Sequence, residues 1–475
     1  MAGRAPLSAK WTRVATAWLP FADAASTELP LGQLLRLSLF QVSVGMALVL
    51  LNGTLNRVMI VELGIPAWLV ALMIAVPLLV APFRAALGHR SDNHRSVLGW
   101  KRVPYIWFGT LGQFGGLAIM PFALILMSGP ETFTLGVIAS MGAFLLAGAG
   151  MHTTQTAGLA LATDLAPAGK RPRAVALLYV MLLVGMMFAA FVIGGMLQDY
   201  SHTRLVQVIQ SCAVITVLLN MTALWKQEAR NRAATDIAEA PPAFATVWRE
   251  YTARPSTVRL LVAIALGTMG FAMQDALLEP FGGEILGLSV GATTRLTGAW
   301  AMGALIGFAW SGHRLTRGGD PLRLSGAGGV IGVTAFLIVL FAAPLSAPFL
   351  LTVGALMIGL GVGMFSVGTL VAAMDLAKDH KAGLALGAWG AVQATATGVA
   401  IAMGGAMRDL IGDYAVADGF GAAMAGRATG YTAVYTLEIL LLLGTLVVLG
   451  PLVGRNRTDA STPGSARFGL QEFPT

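Results

Sequence analysis

"TDLAPAGKRPRAVALL" at residues 163–178 and "MDLAKDHKAGLALG" at 374–387 are two copies of one pattern. The first is followed by "GGMLQD" at 194–199 and the second by "GGAMRD" at 404–409, so Asp164 aligns with Asp375, Gly194 with Gly404 and Asp199 with Asp409. The separations are nearly constant, and a single one-residue deletion in the second copy reconciles them. "GHR" also recurs, at 88–90 and 312–314, each time just after the second apolar run of its half. Several matches in one register are an internal repeat, so the chain is expected to fold as two halves of the same orientation.

The repeat is written in membrane composition. Of 475 residues 56% are hydrophobic and only 11% charged, with mean hydropathy +0.74, whereas soluble domains carry about 25% charged residues. Crossing a bilayer takes about 20 apolar residues. Twelve runs qualify, at 34–58, 66–86, 103–128, 132–163, 174–198, 204–225, 258–285, 291–312, 323–343, 347–376, 383–410 and 430–453. An even number puts both termini on one side. All lysines and arginines except Arg57, Arg204, Arg295, Arg408 and Arg427 then fall on that side, which predicts cytoplasmic termini because short basic loops resist translocation. The net charge of +8 follows from this topology, and no nucleic-acid partner is needed to explain it.

The expected fold is therefore all-α, with twelve transmembrane helices in two parallel six-helix repeats. That is the arrangement of the major facilitator fold, whose central site lies between the halves. The expected divisions are an N-terminal segment (1–33), a first half (34–225), a linker (226–257), a second half (258–453) and a tail (454–475). Segment 1–33 lacks an apolar core followed by a cleavage site, so no removable signal peptide is expected. Cys212 is the sole cysteine, which excludes an intramolecular disulfide and reads as a buried thiol. The 58 glycines suit close helix contacts.

The charge is concentrated in the loop after the second run. Gly88, Asp92, Arg95, Lys101 and Arg102 resemble the major facilitator signature at this place. Acidic and basic groups here would bridge neighbouring helix ends and release them when the halves move; the plainer reading is a positive-inside loop. In the linker, Phe244, Val247, Trp248 and Tyr251 form one apolar stripe at helical spacing, as in a helix lying in the headgroup layer or packed on the bundle. The polar tail reads as disordered.

Motifs of catalysis are sparse: the sequence contains no HExxH and no glycine-rich phosphate loop, and no His/Cys cluster at metal spacing, so an enzyme is not expected. What remains is polar side chains in apolar runs, which mark pathways or ligand sites because they are costly in hydrocarbon. The first run has Asn52, Asn56 and Arg57, and the seventh has Gln274, Asp275 and Glu279 at matching positions. An Arg57–Glu279 ion pair across the halves is one expectation; the other is that both reach the headgroups. His152 sits inside the fourth run, with Gln155 and Thr156 at i+3 and i+4 and with Gly148, Gly150 and Gly158 nearby. Such small neighbours leave room for a large ligand. A neutral imidazole there can ligate the magnesium of a chlorin ring, with Gln155 or Thr156 bonding its polar substituents; a histidine hydrogen-bonded between helices is the commoner use.

The strings "LNGTLNRVMIVELGIPAWLVALM" (51–73), "GHRSDNHRSVLGWKRVPYIWFGT" (88–110), "QFGGLAIMPFAL" (113–124) and "TDLAPAGKRPRAVALLYVMLLVGM" (163–186) closely resemble the PucC/LhaA family, the bacteriochlorophyll delivery family of photosynthetic bacteria. The resemblance covers about residues 30 to 455. It implies a major-facilitator-like protein of the bacterial inner (intracytoplasmic) membrane that promotes assembly of light-harvesting antenna complexes. It would bind bacteriochlorophyll, of the a type, and hand it to antenna apoproteins. Reaction centre–LH1 and late chlorophyll-synthesis enzymes are the further partners implied. The extended termini favour the LH1-associated branch over the LH2 one. His152 gains weight as magnesium ligand, with water or an amide oxygen as competitors. Gly109, Gly112, Gly115 and Gly116, and Gly383, Gly387 and Gly390, become candidate walls of a pigment groove, with close helix packing as the alternative. A coupled transporter of a small amphipathic solute, using Arg57, Asp275 and Glu279, and a pigment-free scaffold stay open as other functions.

Overall fold

The computed structural model describes residues 29–79, 100, 102–167, 171–228, 255–376 and 382–453. Gly88, Asp92, Arg95, Lys101, the linker stripe, residues 1–28 of the N-terminal segment and the 454–475 tail lie outside the described residues. Within the described residues the chain is helix and connecting turns.

The helices run in order as α1 (Leu31–Glu62), α2 (Ala67–Leu79), α3 (Val103–Ser128), α4 (Phe133–Leu165), α5 (Arg171–Met196) and α6 (His202–Leu224). The second half supplies α7 (Pro255–Glu284), α8 (Val290–Thr316), α9 (Pro321–Ala342), α10 (Pro348–Leu376), α11 (Ala382–Val416) and α12 (Ala428–Leu449). Among the described residues nine of these are long and apolar enough to cross a membrane. The described part of α2 is 13 residues long, and α8 and α11 are long enough but more polar. Short connections stop and restart the rods with ordinary capping chemistry. The Ser201 hydroxyl accepts from the Arg204 amide at 3.1 Å, and Asp320 accepts from the Leu322 amide at 2.8 Å with Pro321 at the first helical position.

Within each half the helices approach through small residues, because lipid offers no hydrophobic incentive and close dispersion contact must hold the helices instead. Gly109 and Gly112 of α3 lie on Gly150 of α4, where a Cβ on Gly112 would stand 3.2 Å from the Gly150 Cα. Gly307 of α8 lies on α10, where a Cβ would stand 2.5 Å from the Leu360 carbonyl oxygen. Buried polar side chains add hydrogen bonds: Asn220 of α6 donates to Thr110 of α3 at 2.9 Å, and Ser43 of α1 donates to Asn220 at 2.7 Å.

Between the halves the main contacts are α2 with α11 and α7, α5 with α8, and α1 with α7 and α8. They gather where the 63–66, 197–201 and 285–289 connections meet. The Trp68 amide donates to Asp409 at 2.8 Å, Arg295 donates to Gln198 at 3.2 Å, and Thr54 bonds Thr294 at 3.1 Å. We call this the latched end. The α8–α9 corner and Val453, where the described chain stops, lie at the other end.

Candidate functional site: paired helix interruptions and the α4 face

Both α1 and α7 lose regular α-helical hydrogen bonding at matching places. In α1 the bonding widens to π-helix over Val49–Leu55 and again over Val58–Glu62. In α7 it tightens to a 3-10 turn over Met273–Ala276. Irregular backbone at membrane depth survives only where protein or a polar cavity satisfies it. Interruptions at corresponding positions of two repeats are the strongest structural pointer to a central site in such folds.

The polar side chains singled out in the sequence sit at these interruptions. The Gln274 amide, displaced by the 3-10 turn, donates to the Glu438 carboxylate of α12 at 2.8 Å. The Gln274 side chain donates to the Phe271 carbonyl at 3.3 Å and to Asp275. Asn56 donates to the Asn52 carbonyl and reaches the Asp275 carbonyl across the halves at 3.4 Å. Thr297 donates to one oxygen of Glu279, while among the described residues the other has no hydrogen-bond partner although Glu279 is only 4% exposed. Gly53 makes this possible, since a Cβ there would stand 3.1 Å from the Glu279 carboxyl carbon.

Arg57 and Glu279 come to the same seam without forming the expected ion pair. Arg57 pairs instead with Glu62 of its own helix and donates to the Leu288 carbonyl at 3.2 Å. Its guanidinium lies over Gly283, one turn past Glu279. The reason is the π-bonding: hydrogen bonds from i to i+5 bring residues five apart onto one face, and a sequence read with α-helical spacing does not place Glu62 beneath Arg57. Exchanging the charges of Arg57 and Glu62 is expected to keep membrane abundance within about twofold of wild type. Arg57→Glu alone should cut it severalfold, because a broken buried pair costs about 3–5 kcal/mol. Rescue of Arg57→Glu by Glu279→Arg, with no rescue by Glu62→Arg, would reassign the pair.

Five side chains at or near this seam are not singled out as site residues by the sequence. Glu62 lay beyond the expected end of the first span. Glu438 is fully buried in α12, and its signal was a lone carboxylate in an apolar run. Glu284 and Arg408 form a buried ion pair at the latched end. Asp409, noticed only as a repeat partner, joins that pair through Arg408 at 2.6 Å.

The α4 face is built differently. His152 is part-buried in line with Gly148 and Gln155. Gln155 donates to Gln41 of α1 at 3.3 Å, and Thr156 donates back to the His152 carbonyl at 2.8 Å. The room expected beside them is filled. Gly148 meets Pro77, Gly150 meets the α3 backbone, and Gly158 meets the Phe40 ring at 2.5 Å from a would-be Cβ. Gly109, Gly112 and Gly116 likewise pack on α4, and a Cβ on Gly115 would stand 3.5 Å from the Leu146 side chain. Gly390 has open space at its Cβ position; Gly383 and Gly387 lie outside the residues whose side-chain surroundings are described. Any ring ligated by His152 must therefore approach along the α4 surface, not through a slot among these glycines.

Arg102 lies where the ends of α3, α4 and α6 come together. Its side chain pairs with Asp164 at the end of α4, at 2.9 Å. Its backbone amide and that of Val103 donate to Glu228 beyond α6, at 3.1 and 2.9 Å.

Comparison with known proteins places this geometry. The model of the PUCC protein family matches residues 54–457. The chain is 54% identical to an uncharacterized protein of the puhA–bchM intergenic region of Rhodobacter capsulatus, over 97% of this chain and 98% of that one. It is equally identical, 54%, to Protein PucC of Rhodovulum sulfidophilum, over 84% of this chain and 90% of that one, so identity does not distinguish a branch within the family. A more distant relative, 28% identical over 80% of this chain and 88% of that one, is the Bacteriochlorophyll synthase 44.5 kDa chain of Rhodobacter capsulatus. Among solved structures, a bacterial homologue of the lysosomal transporter Spinster, inward-facing and unoccupied, superposes with TM-score 0.66. It is 15% identical, over 91% of this chain and 98% of that one, which identifies the fold as major-facilitator-like.

Proposed function

The chain belongs to the PUCC protein family, and from that membership we propose that it is an assembly factor for light-harvesting antenna in the inner membrane, binding bacteriochlorophyll as cargo and delivering it to antenna apoproteins. The observation that carries this reading is the kinship of one chain both to PucC proteins across most of its length and to a protein named for bacteriochlorophyll synthase. The task needs a membrane surface that holds an insoluble ring out of water and releases it to a nascent helix. His152 is the proposed magnesium ligand, being part-exposed in the middle of a membrane helix, with Gln155 beside it. The partners proposed are the LH1 or LH2 apoproteins.

The test is the absorption spectrum and extracted pigment stoichiometry of the protein purified free of antenna rings, beside His152→Ala of matched folding. Near-stoichiometric bacteriochlorophyll lost in the variant supports both carrier and ligand. Pigment retained in the variant keeps the carrier and removes His152 from it. A colourless wild type that still holds antenna polypeptides overturns delivery and leaves a scaffold.

A second reading has its own observation. The open carboxylate oxygens of Glu279 and Glu438, beside paired helix interruptions, are suited to taking up a proton or cation during transport of a small amphipathic solute. Flux in liposomes that collapses in Asp275→Asn or Glu279→Gln would favour it over delivery.

A further inference from the structure

We propose that the corner between α8 and α9 binds the phosphate headgroup of an anionic phospholipid. "GHRLTRGGDPLRL" at 312–324 builds a rigid corner there. The Gly319 amide bonds the Arg314 carbonyl at 3.0 Å and the Gly318 amide bonds the Leu315 carbonyl at 3.0 Å, closing α8 with the paired bonds of a Schellman motif. Gly318 holds φ +79°, a backbone conformation that side chains disfavour. Asp320 then caps α9 through the Leu322 and Arg323 amides at 2.8 and 3.3 Å.

This corner borders a half-open cavity of about 670 Å³ whose lining includes Trp310, Arg314, Arg317 and Arg323, with Met364 and Val453 among its apolar members. The charge is unbalanced: Asp320 stands 3.9 Å from Arg323, and among the described residues no carboxylate lies within ion-pair distance of Arg314 or Arg317. Arg314 lies over the Trp310 ring, 5.7 Å from its centroid, an arrangement that stiffens the guanidinium while leaving its N–H fork open. An anion is the ligand these groups recognise.

What makes the anion a lipid is the surface below it. Met302, Ile306 and Trp310, four residues apart on α8, are 36%, 47% and 52% exposed and lead directly to Arg314. An acyl chain laid along this ridge brings its phosphate to the arginines, with the indole at the headgroup level where tryptophan is enriched. Basic pockets between membrane helices serve acidic lipids in this way. A free phosphate has no use for the ridge.

The experiment uses the full-length, delipidated protein in mild detergent, with native mass spectrometry and thermal shift under added phosphatidylglycerol, phosphatidylcholine or inorganic phosphate. Phosphatidylglycerol is expected to bind and stabilise, phosphatidylcholine and inorganic phosphate at equal concentration to do neither. The triple variant Arg314→Gln, Arg317→Gln, Arg323→Gln should bind it about a hundredfold more weakly, each arginine contributing about fivefold. Trp310→Leu, which keeps the apolar ridge, should weaken it less, and Arg204→Gln at the latched end should leave it unchanged. Equal phosphatidylglycerol binding by wild type and triple variant overturns the proposal, as does equal binding of phosphatidylcholine. Inorganic phosphate that competes at comparable affinity overturns the lipid assignment. If the triple variant fails to fold, the Trp310→Leu and Arg204→Gln comparison decides, and equal affinity in those two overturns it.

Discussion

Arg408→Met is expected to lower thermal stability in detergent by on the order of 10 °C, while Arg427→Met should lower it by a few degrees at most. Both arginines bind the same carboxylate, and the difference is burial. Arg408 is 9% exposed and pairs with Glu284 and with Asp409 at 2.6 Å, stacked 4.8 Å from the centre of the Tyr431 ring. Arg427 reaches Glu284 at 2.9 Å but is 65% exposed, where water screens the pair and side-chain entropy opposes it. Removing Arg408 leaves two carboxylates from α7 and α11 facing each other with little water, a loss of about 3–5 kcal/mol. Glu284 would keep only the Tyr431 hydroxyl at 2.7 Å and the exposed Arg427.

A second variant separates lost charge from lost packing. Arg408→Met combined with Glu284→Gln should recover part of the stability, because the stranded charge is gone while the cavity is unchanged. Asp409 keeps its bond from the Trp68 amide in both cases. Equal melting temperatures for Arg408→Met and Arg427→Met would show that the buried pair contributes nothing. Since Asp409 also bonds α2, loss of Arg408 is further expected to loosen the latched end between the halves.

The sequence announced the architecture well before it announced the site. Hydropathy located helices because burying a peptide backbone in hydrocarbon forces helical bonding, and the repeated Asp164 and Asp375 strings exposed two halves. The polar residues of α1 and α7 were legible for the same reason, since each stands out against an apolar run. What hydropathy does not report is hydrogen-bond register. A π-turn and an α-turn have the same composition, so Glu62 could not be placed under Arg57, nor the Gln274 amide on Glu438. Glycine was ambiguous in another way. Around His152 smallness read as room, but Pro77, Phe40 and the α3 backbone occupy it; whether a glycine borders a void or a neighbour is a property of the neighbour. Arg408 is visible in the sequence as a basic residue away from the basic side, but its pairing is not, because its partner Glu284 is far away in sequence and belongs to a different helix.

The latched end gives glycine a different test, in which two substitutions of one kind are expected to fail in opposite ways. Gly307→Leu places a side chain inside one half, where even a Cβ stands 2.5 Å from the Leu360 carbonyl oxygen and 3.2 Å from the Gly363 Cα. α8 and α10 must separate to admit it, and overpacking against backbone costs about 1–3 kcal/mol or more; little monodisperse protein should survive solubilisation. Gly291→Leu places the same side chain between the halves, where a Cβ would stand 2.9 Å from Gln198 Cα on the α5 side. That seam can part as a rigid-body movement without unpacking either half. Gly291→Leu is therefore expected to remain folded with the latched end open. Thr54→Cys reads this directly, since Thr54 is fully buried against Thr294 of the other half, and the native Cys212 is buried and gives little background. A membrane-impermeant maleimide should leave Thr54→Cys largely unmodified in the otherwise wild-type chain and modify most of it when Gly291→Leu is added. Loss of folding in Gly291→Leu, or unchanged protection of Thr54→Cys, would mean that the contact between α5 and α8 is a permanent part of the core and that the halves do not part along it.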